Sequence, residues 1–170
     1  MVYFHLLYFS RNMPLTVILG TMFSGKTTEL LKHRKGRTLI INHTFDTRTT
    51  GVKTHDGLEV EAHKCSVLPV LPKESAYDTV LIDECQFFES LEGVENLAPN
   101  VVIAGLNGDY LQRPFGQILN CISKASEVIF LTAACACDKN ASFTKRISGE
   151  TDLISVGSKY IPVCWECLNK

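Results

Sequence analysis

Five short apolar runs punctuate the chain, at residues 15–19, 38–41, 79–82, 101–106 and 127–131, and glycine or a polar or charged residue directly follows each. The runs are rich in Val, Ile and Leu and most lack polar alternation, the pattern of strands buried on both faces of a parallel sheet. Residues 27–32 are good helix formers, and Lys35-Gly36-Arg37 is expected to end that helix after about ten residues, since glycine favours the position past a helix end. So short a crossover predicts that strands 15–19 and 38–41 lie side by side and parallel. Residues 51–65 read as a hairpin: Val52 and Thr54 alternate with polar residues, Asp56-Gly57 makes a two-residue turn, and Leu58, Val60 and Ala62 alternate on the return. Pro69 and Pro72 mark a loop. Pro114-Phe115-Gly116 leads into an amphipathic helix with Ile118, Leu119, Ile122 and Ala125 on one face. The fold class is α/β, a parallel sheet with flanking helices.

Composition changes little in that picture. At 170 residues, 45% hydrophobic and 21% charged, the chain is of ordinary size for one globular domain with a small appendage. A net charge of −1 with no basic block offers no electrostatic footprint for a nucleic acid polymer. Residues 1–12 are apolar and aromatic but too short to span a bilayer, and they lack the basic start and small-residue cleavage site of a signal peptide. They are expected to be either a weakly docked extension ahead of a natural start at Met13 or an extra edge strand. No membrane segment is expected, and the location is read as cytoplasmic.

Candidate chemistry begins where the first apolar run ends. Gly20-Thr21-Met22-Phe23-Ser24-Gly25-Lys26-Thr27 fits G-x-x-x-x-G-K-[ST], the phosphate-cradling P-loop, and it lies between a predicted strand and a predicted helix as the motif requires. Lys26 would reach the β- and γ-phosphates of ATP, and the Thr27 hydroxyl would ligate Mg²⁺. The third apolar run ends in Asp83-Glu84. An acid at that strand exit can hold Mg²⁺, directly or through water, and Glu84 stands one residue nearer the substrate. The parallel sheet is thus of the P-loop NTPase type.

Seven cysteines cannot all pair, and four of them cluster late in the chain. Cys135-Ala136-Cys137 and Cys164-Trp165-Glu166-Cys167 read as a four-cysteine structural Zn²⁺ site, although C-x-C is tighter than the usual spacing. Cys65, Cys85 and Cys121 fall within or beside core elements and read as small buried hydrophobes.

Taken together these residues resemble type II thymidine kinases, a small zinc-containing family. The resemblance runs from about residue 15 to residue 167 and rests on the P-loop stretch 18–30, Asp46-Thr47-Arg48, Thr54-His55-Asp56, residues 82–88, Pro114-Phe115-Gly116, Phe143-Thr144-Lys145-Arg146 and Lys159-Tyr160. It implies transfer of the ATP γ-phosphoryl group to the 5′-hydroxyl of thymidine or deoxyuridine, with Glu84 as the general base. It assigns Asp46, Thr47, Arg48 and Gln86 to the nucleotide site beside the P-loop and Asp83. It encloses the nucleoside with Met22, Phe87, Leu106, Tyr110 and Tyr160, and with a lasso of Leu153, Ile154, Ser155, Val156 and Gly157 whose backbone reads the base edge. Phe88 and Phe115 fit equally well as core packing. The implied organisation is a P-loop kinase domain over 13–132 and a zinc-binding lasso subdomain over 133–170, in a homotetramer. Two other functions are open to the same residues. The fold could serve a P-loop ATPase or a kinase of another nucleoside, or a zinc-dependent binding module whose kinase site has decayed; intact Lys26, Thr27, Asp83 and Glu84 weigh against decay.

Overall fold

The computed structural model describes residues 15–47, 50–54, 57–72, 77–147 and 160–170. The expectations for residues 1–12, Arg48, His55 and Asp56, and for Leu153, Ile154, Ser155, Val156 and Gly157, lie outside the described residues. Strand β1 (Leu15–Gly20) is buried at every position and runs through the P-loop into helix α1 (Lys26–Lys32). Strand β2 (Thr38–His43) follows, then β3 (Val52–Lys53), β4 (Glu59–Val60), β5 (His63–Cys65), β6 (Thr79–Ile82), β7 (Asn100–Leu106) and β8 (Glu127–Leu131). Six of these form one sheet in the order β5-β2-β6-β7-β1-β8, and every neighbouring pair in it is parallel.

The order corrects one expectation. β1 and β2 are parallel but not adjacent; β6 and β7 lie between them. Both inserted strands are buried along nearly their whole length, so they belong at the centre of a two-faced sheet, whereas β2 begins half-buried. Helix α1 packs over β1, β7 and β6, its Leu30 and Leu31 buried against Ile18, Leu81 and Val102, and its crossover therefore spans the two intervening strands. The consequence is functional. The C-terminal ends of β6, β7 and β1 are brought side by side, and this is the edge where open α/β sheets bind their ligands.

Three smaller corrections follow. Helix α1 spans 7 residues and is capped at His33, three residues before Gly36. The hairpin stops early: Val52 pairs with Val60 and Lys53 with Glu59, after which β5 leaves to become the sheet's edge strand beside β2. The segment after Gly116 is a 3-10 helix, Ile118–Lys124, that buries Ile118 and Cys121, while Ile122 is 40% exposed. Three residues per turn place positions i and i+3 on one face, so Cys121 takes the place that a 3.6-residue period gives to Ile122.

Past β8 the chain changes character. Strands β9 (Ala133–Ala134), β10 (Asn140–Ala141), β11 (Phe143–Arg146) and β12 (Tyr160–Val163) form two antiparallel ribbons, β9 with β10 and β11 with β12, and one turn of helix, α2 (Trp165–Leu168), closes the described chain. Their apolar cluster is small: Cys135, Ala141, Val163 and Cys164, with Ala133, Phe143, Cys167 and Leu168 around it.

Candidate active site

β1 ends at Gly20, and the loop that follows is built on unusual backbone angles. Gly25 has φ of 82°, which costs glycine little and a side-chain-bearing residue more. Phe23 also has positive φ, 63°. Lys26 Nζ donates to the Thr21 carbonyl at 2.7 Å, folding the cation over the loop. Ser24 Oγ is buried without a hydrogen-bond partner among the described residues. A buried hydroxyl in such a position carries a desolvation penalty until something supplies a partner, and a phosphate oxygen in the loop would do so. The loop fits the nucleotide that its motif predicts.

Two strands away, β6 delivers the acids. Thr27 Oγ1 donates to Asp83 Oδ2 at 2.7 Å, so the P-loop hydroxyl and the strand-end carboxylate meet without any ligand. Asp83 is buried, and its pKa is pushed up to about 6, by desolvation first and the Glu84 charge second, against the Thr27 hydroxyl, the Glu84 N–H and Lys26, which hold it down. A buried carboxylate beside a hydroxyl, short of positive charge, is an oxygen donor set suited to a hard divalent cation, so these residues fit Mg²⁺. Glu84 stands at φ 55°, its N–H donating to Asp83 Oδ1 at 2.9 Å. The turn separates two consecutive acids: Asp83 remains buried toward the P-loop and Glu84 is half-buried.

The sequence-predicted nucleoside residues fall into two groups. Phe87 meets Phe115 and Phe45 edge-to-face, with ring centres 5.7 and 5.6 Å apart, while Phe88 is core at 1% exposure. Tyr110 and Tyr160 come within 6.2 Å of each other, joining a main-sheet loop to the β11–β12 ribbon. Met22 and Leu106 are half-buried, at the P-loop and at the end of β7. Asp46 is buried, bonded by Asn42 Nδ2 at 2.9 Å, and its carbonyl accepts from Lys64 Nζ. Thr47 is exposed beside it. Gln86 is buried and points to Glu84 and Leu106.

Sequence reasoning missed several residues that shape this region. The Arg146 guanidinium lies 4.4 Å from the Tyr110 ring centre and 5.0 Å from that of Tyr160, and its Nη2 donates to the Tyr160 hydroxyl at 2.6 Å. Such stacking needs a planar cation. The Thr144 and Thr21 hydroxyls share a hydrogen bond of 2.7 Å, tying β11 to the P-loop. Asp109 is buried and accepts from the N–H groups of Leu111 and Arg113 and from the Arg113 side chain at 2.8 to 2.9 Å, which fixes the loop that carries Tyr110. Thr144 and Arg146 sit inside a stretch already notable as a motif, whereas nothing in the local sequence distinguishes Asp109.

The four late cysteines do converge. The Sγ atoms of Cys135, Cys137, Cys164 and Cys167 all lie within 4.8 Å of one another, and Cys137 is 3.5 Å from both Cys135 and Cys164. Tetrahedral Zn–S bonds of about 2.3 Å imply S···S separations of roughly 3.8 Å, so the set fits zinc. The thiols are electrostatically uneven. N–H groups of Cys137 and Cys164 draw Cys135 down to about 6. The Cys167 N–H pulls on Cys164 too, but burial and bonds to Glu166 and the neighbouring thiols carry it up to about 12. Were all four held as thiolates, sulfurs this close would need a cation among them.

The fold and site together define a P-loop α/β protein with a four-cysteine ribbon appended beyond the last sheet strand. The sequence profile of the family described as thymidine kinase matches residues 13–168. Thymidine kinase 1 of Dictyostelium discoideum is 37% identical over 90% of this chain and 76% of its own. The thymidine kinase of fowlpox virus is 40% identical, covering 89% and 94%, and the cytosolic thymidine kinase of Gallus gallus 38% identical, covering 89% and 75%. The chain belongs to the thymidine kinase family. Among the described residues no helix is long and apolar enough to cross a membrane.

Proposed function

We propose that this protein transfers the γ-phosphoryl group of ATP to the 5′-hydroxyl of thymidine or deoxyuridine, and that it does so in the cytoplasm as a homo-oligomer. The observation that carries the reading is the meeting of the P-loop hydroxyl of Thr27 with Asp83 at 2.7 Å, with a second carboxylate, Glu84, on the next residue and bonded by Gln86 Nε2. Lys26 and the loop N–H groups hold the phosphates and take up charge as it moves from the γ- to the β-phosphate oxygens. Thr27 and Asp83 would hold Mg²⁺, which would supply charge neutralisation at the phosphates. The Glu84 carboxylate accepts the 5′-hydroxyl proton as the oxygen bonds to phosphorus and the bond to ADP breaks. Tyr110, Tyr160 and Phe87 enclose the nucleoside, and the cysteine cluster with its zinc anchors the ribbon from which Tyr160 projects.

The purified protein is expected to phosphorylate thymidine, and neither deoxycytidine nor deoxyguanosine, in an ATP-dependent assay. ATP hydrolysis without nucleoside monophosphate would leave the P-loop function standing and remove the acceptor assignment. Glu84→Gln should bind ATP normally and lose about 10²- to 10⁴-fold in turnover; near-normal turnover would eliminate Glu84 as the base.

A further inference from the structure

Gln86 is 3% exposed and uses both ends of its amide. Nε2 donates to Glu84 Oε2 at 2.6 Å, and Oε1 accepts the Leu106 N–H at 3.0 Å. One buried side chain thus spans from the acid that follows β6 to the last residue of β7. The space it occupies is kept open by its neighbours. A Cβ on Gly105 would lie 2.8 Å from Gln86 Oε1, and one on Gly116 would lie 2.3 Å from the Gln86 carbonyl. Gly116 also stands at φ 65°, where a larger residue is strained whatever the room.

We infer that Gln86 is a positioning residue for the general base, holding the Glu84 carboxylate at a fixed distance from the β7 end that walls the nucleoside. This rests on the reading of Glu84 given above, and it moves Gln86 from the nucleotide side of the site to the acceptor side. The physical need is plain. Glu84 has three side-chain torsions and only half of it is buried, so its carboxylate samples several rotamers unless something holds it. A charge-assisted bond from a buried amide selects one, and the amide is itself pinned at its other end by a backbone N–H. Misplacing a base by about 1 Å can cost on the order of 10²-fold in rate.

The test is a double-mutant cycle in kcat. Gln86→Met, of similar length, removes the donor facing Glu84 without adding a charge. Gln86→Glu, which keeps an acceptor for the Leu106 N–H but sets a like charge against Glu84, is the second variant should the first fail to fold. The expected result is a fall in kcat of at least about 10-fold, with KM for ATP and for thymidine within about threefold of the parent. In the Glu84→Gln background the same substitution should cost nothing more in kcat, because a residue that acts through Glu84 has no effect once the carboxylate is gone. Equal losses in both backgrounds would mean a general structural role and overturn the inference, as would a parent-like kcat in the Gln86 variants. If instead Glu84→Gln turns over normally while the Gln86 variants are slow, the base assignment fails first and this inference falls with it.

Discussion

The phosphate end of the sheet and the cysteine ribbon reach definite geometry by opposite means. The P-loop grows from β1, buried at all its positions and paired on both sides by parallel strands, so a large apolar core fixes where the loop begins. Among the described residues the ribbon has no such support: its own apolar cluster contains four buried residues, two of them cysteines, too little to hold short strands by burial alone. Substitutions in the first region should therefore damage chemistry and spare the fold, while loss of metal in the second should damage local structure and, through it, acceptor binding.

Lys26→Ala gives the largest separation. Its ammonium lies over the P-loop and bonds a carbonyl of that same loop, so little of the core depends on it. Phosphoryl transfer is expected to fall by about 10²- to 10³-fold, the usual loss for one charge-stabilising donor, with the thermal midpoint within a degree or two of the parent. A large drop in midpoint would show that the loop is not carried by the core. Zinc removal, by chelation or Cys164→Ser, should do the reverse. Thymidine KM is expected to rise by about 10-fold or more and the ribbon to become protease-sensitive, while ATP affinity, measured by direct titration, is retained. Equal loss of both ligands would erase the contrast.

Asp83 supplies a smaller and signed effect. Its pKa in the folded protein, about 6, lies above the ordinary aspartate value of 3.8. The folded state thus binds the proton more tightly than the unfolded chain, so this group's contribution to stability falls as pH rises from about 4 to 6 and stays lost above that. The difference between those two values corresponds to roughly 3 kcal/mol at most. In metal- and nucleotide-free protein, Asp83→Asn is expected to raise urea stability at pH 7.5 by about 1–3 kcal/mol and to flatten the dependence between pH 4 and 6. Added Mg²⁺ with ATP should stabilise the parent more at pH 7.5 than at pH 5.5. A variant less stable than the parent at pH 7.5 would contradict the burial of an ionised Asp83.

The same contrast governs what could be read from sequence. The P-loop, the acids after β6 and the apolar strands are local patterns, and each was legible because neighbours in sequence do the work. The adjacency of β1 and β2 was misread because a short crossover says nothing about strands that enter the sheet later; β6 and β7 claimed the centre by being apolar on both faces. Ile122 was assigned to the core by a helical period, and the 3-10 geometry turned Cys121 inward instead. The cysteine set was legible as a set because two close pairs of thiols are a local pattern that fits a metal. The cross-links around Tyr110 and Glu84 were not legible. Arg146 between Tyr110 and Tyr160, and Gln86 between Glu84 and Leu106, join residues whose meeting depends on the folded topology.

The smallest effect probes the seam between the two regions. The Thr21 and Thr144 hydroxyls are both buried and bond across 123 positions of sequence, one on the P-loop and the other on the strand that pairs Thr144 with Pro162 in the ribbon. Thr144→Val keeps the shape, removes the bond and leaves the Thr21 hydroxyl without that partner, at a cost of about 1–2 kcal/mol. Thr144→Ser retains the hydroxyl and should recover most of it. The more telling quantity is the dependence of thymidine affinity on bound ATP. If this seam transmits the state of the P-loop to the ribbon, that dependence weakens in Thr144→Val and returns in Thr144→Ser. Unchanged dependence in the valine variant would mean that the phosphate loop and the ribbon meet at this bond without communicating through it.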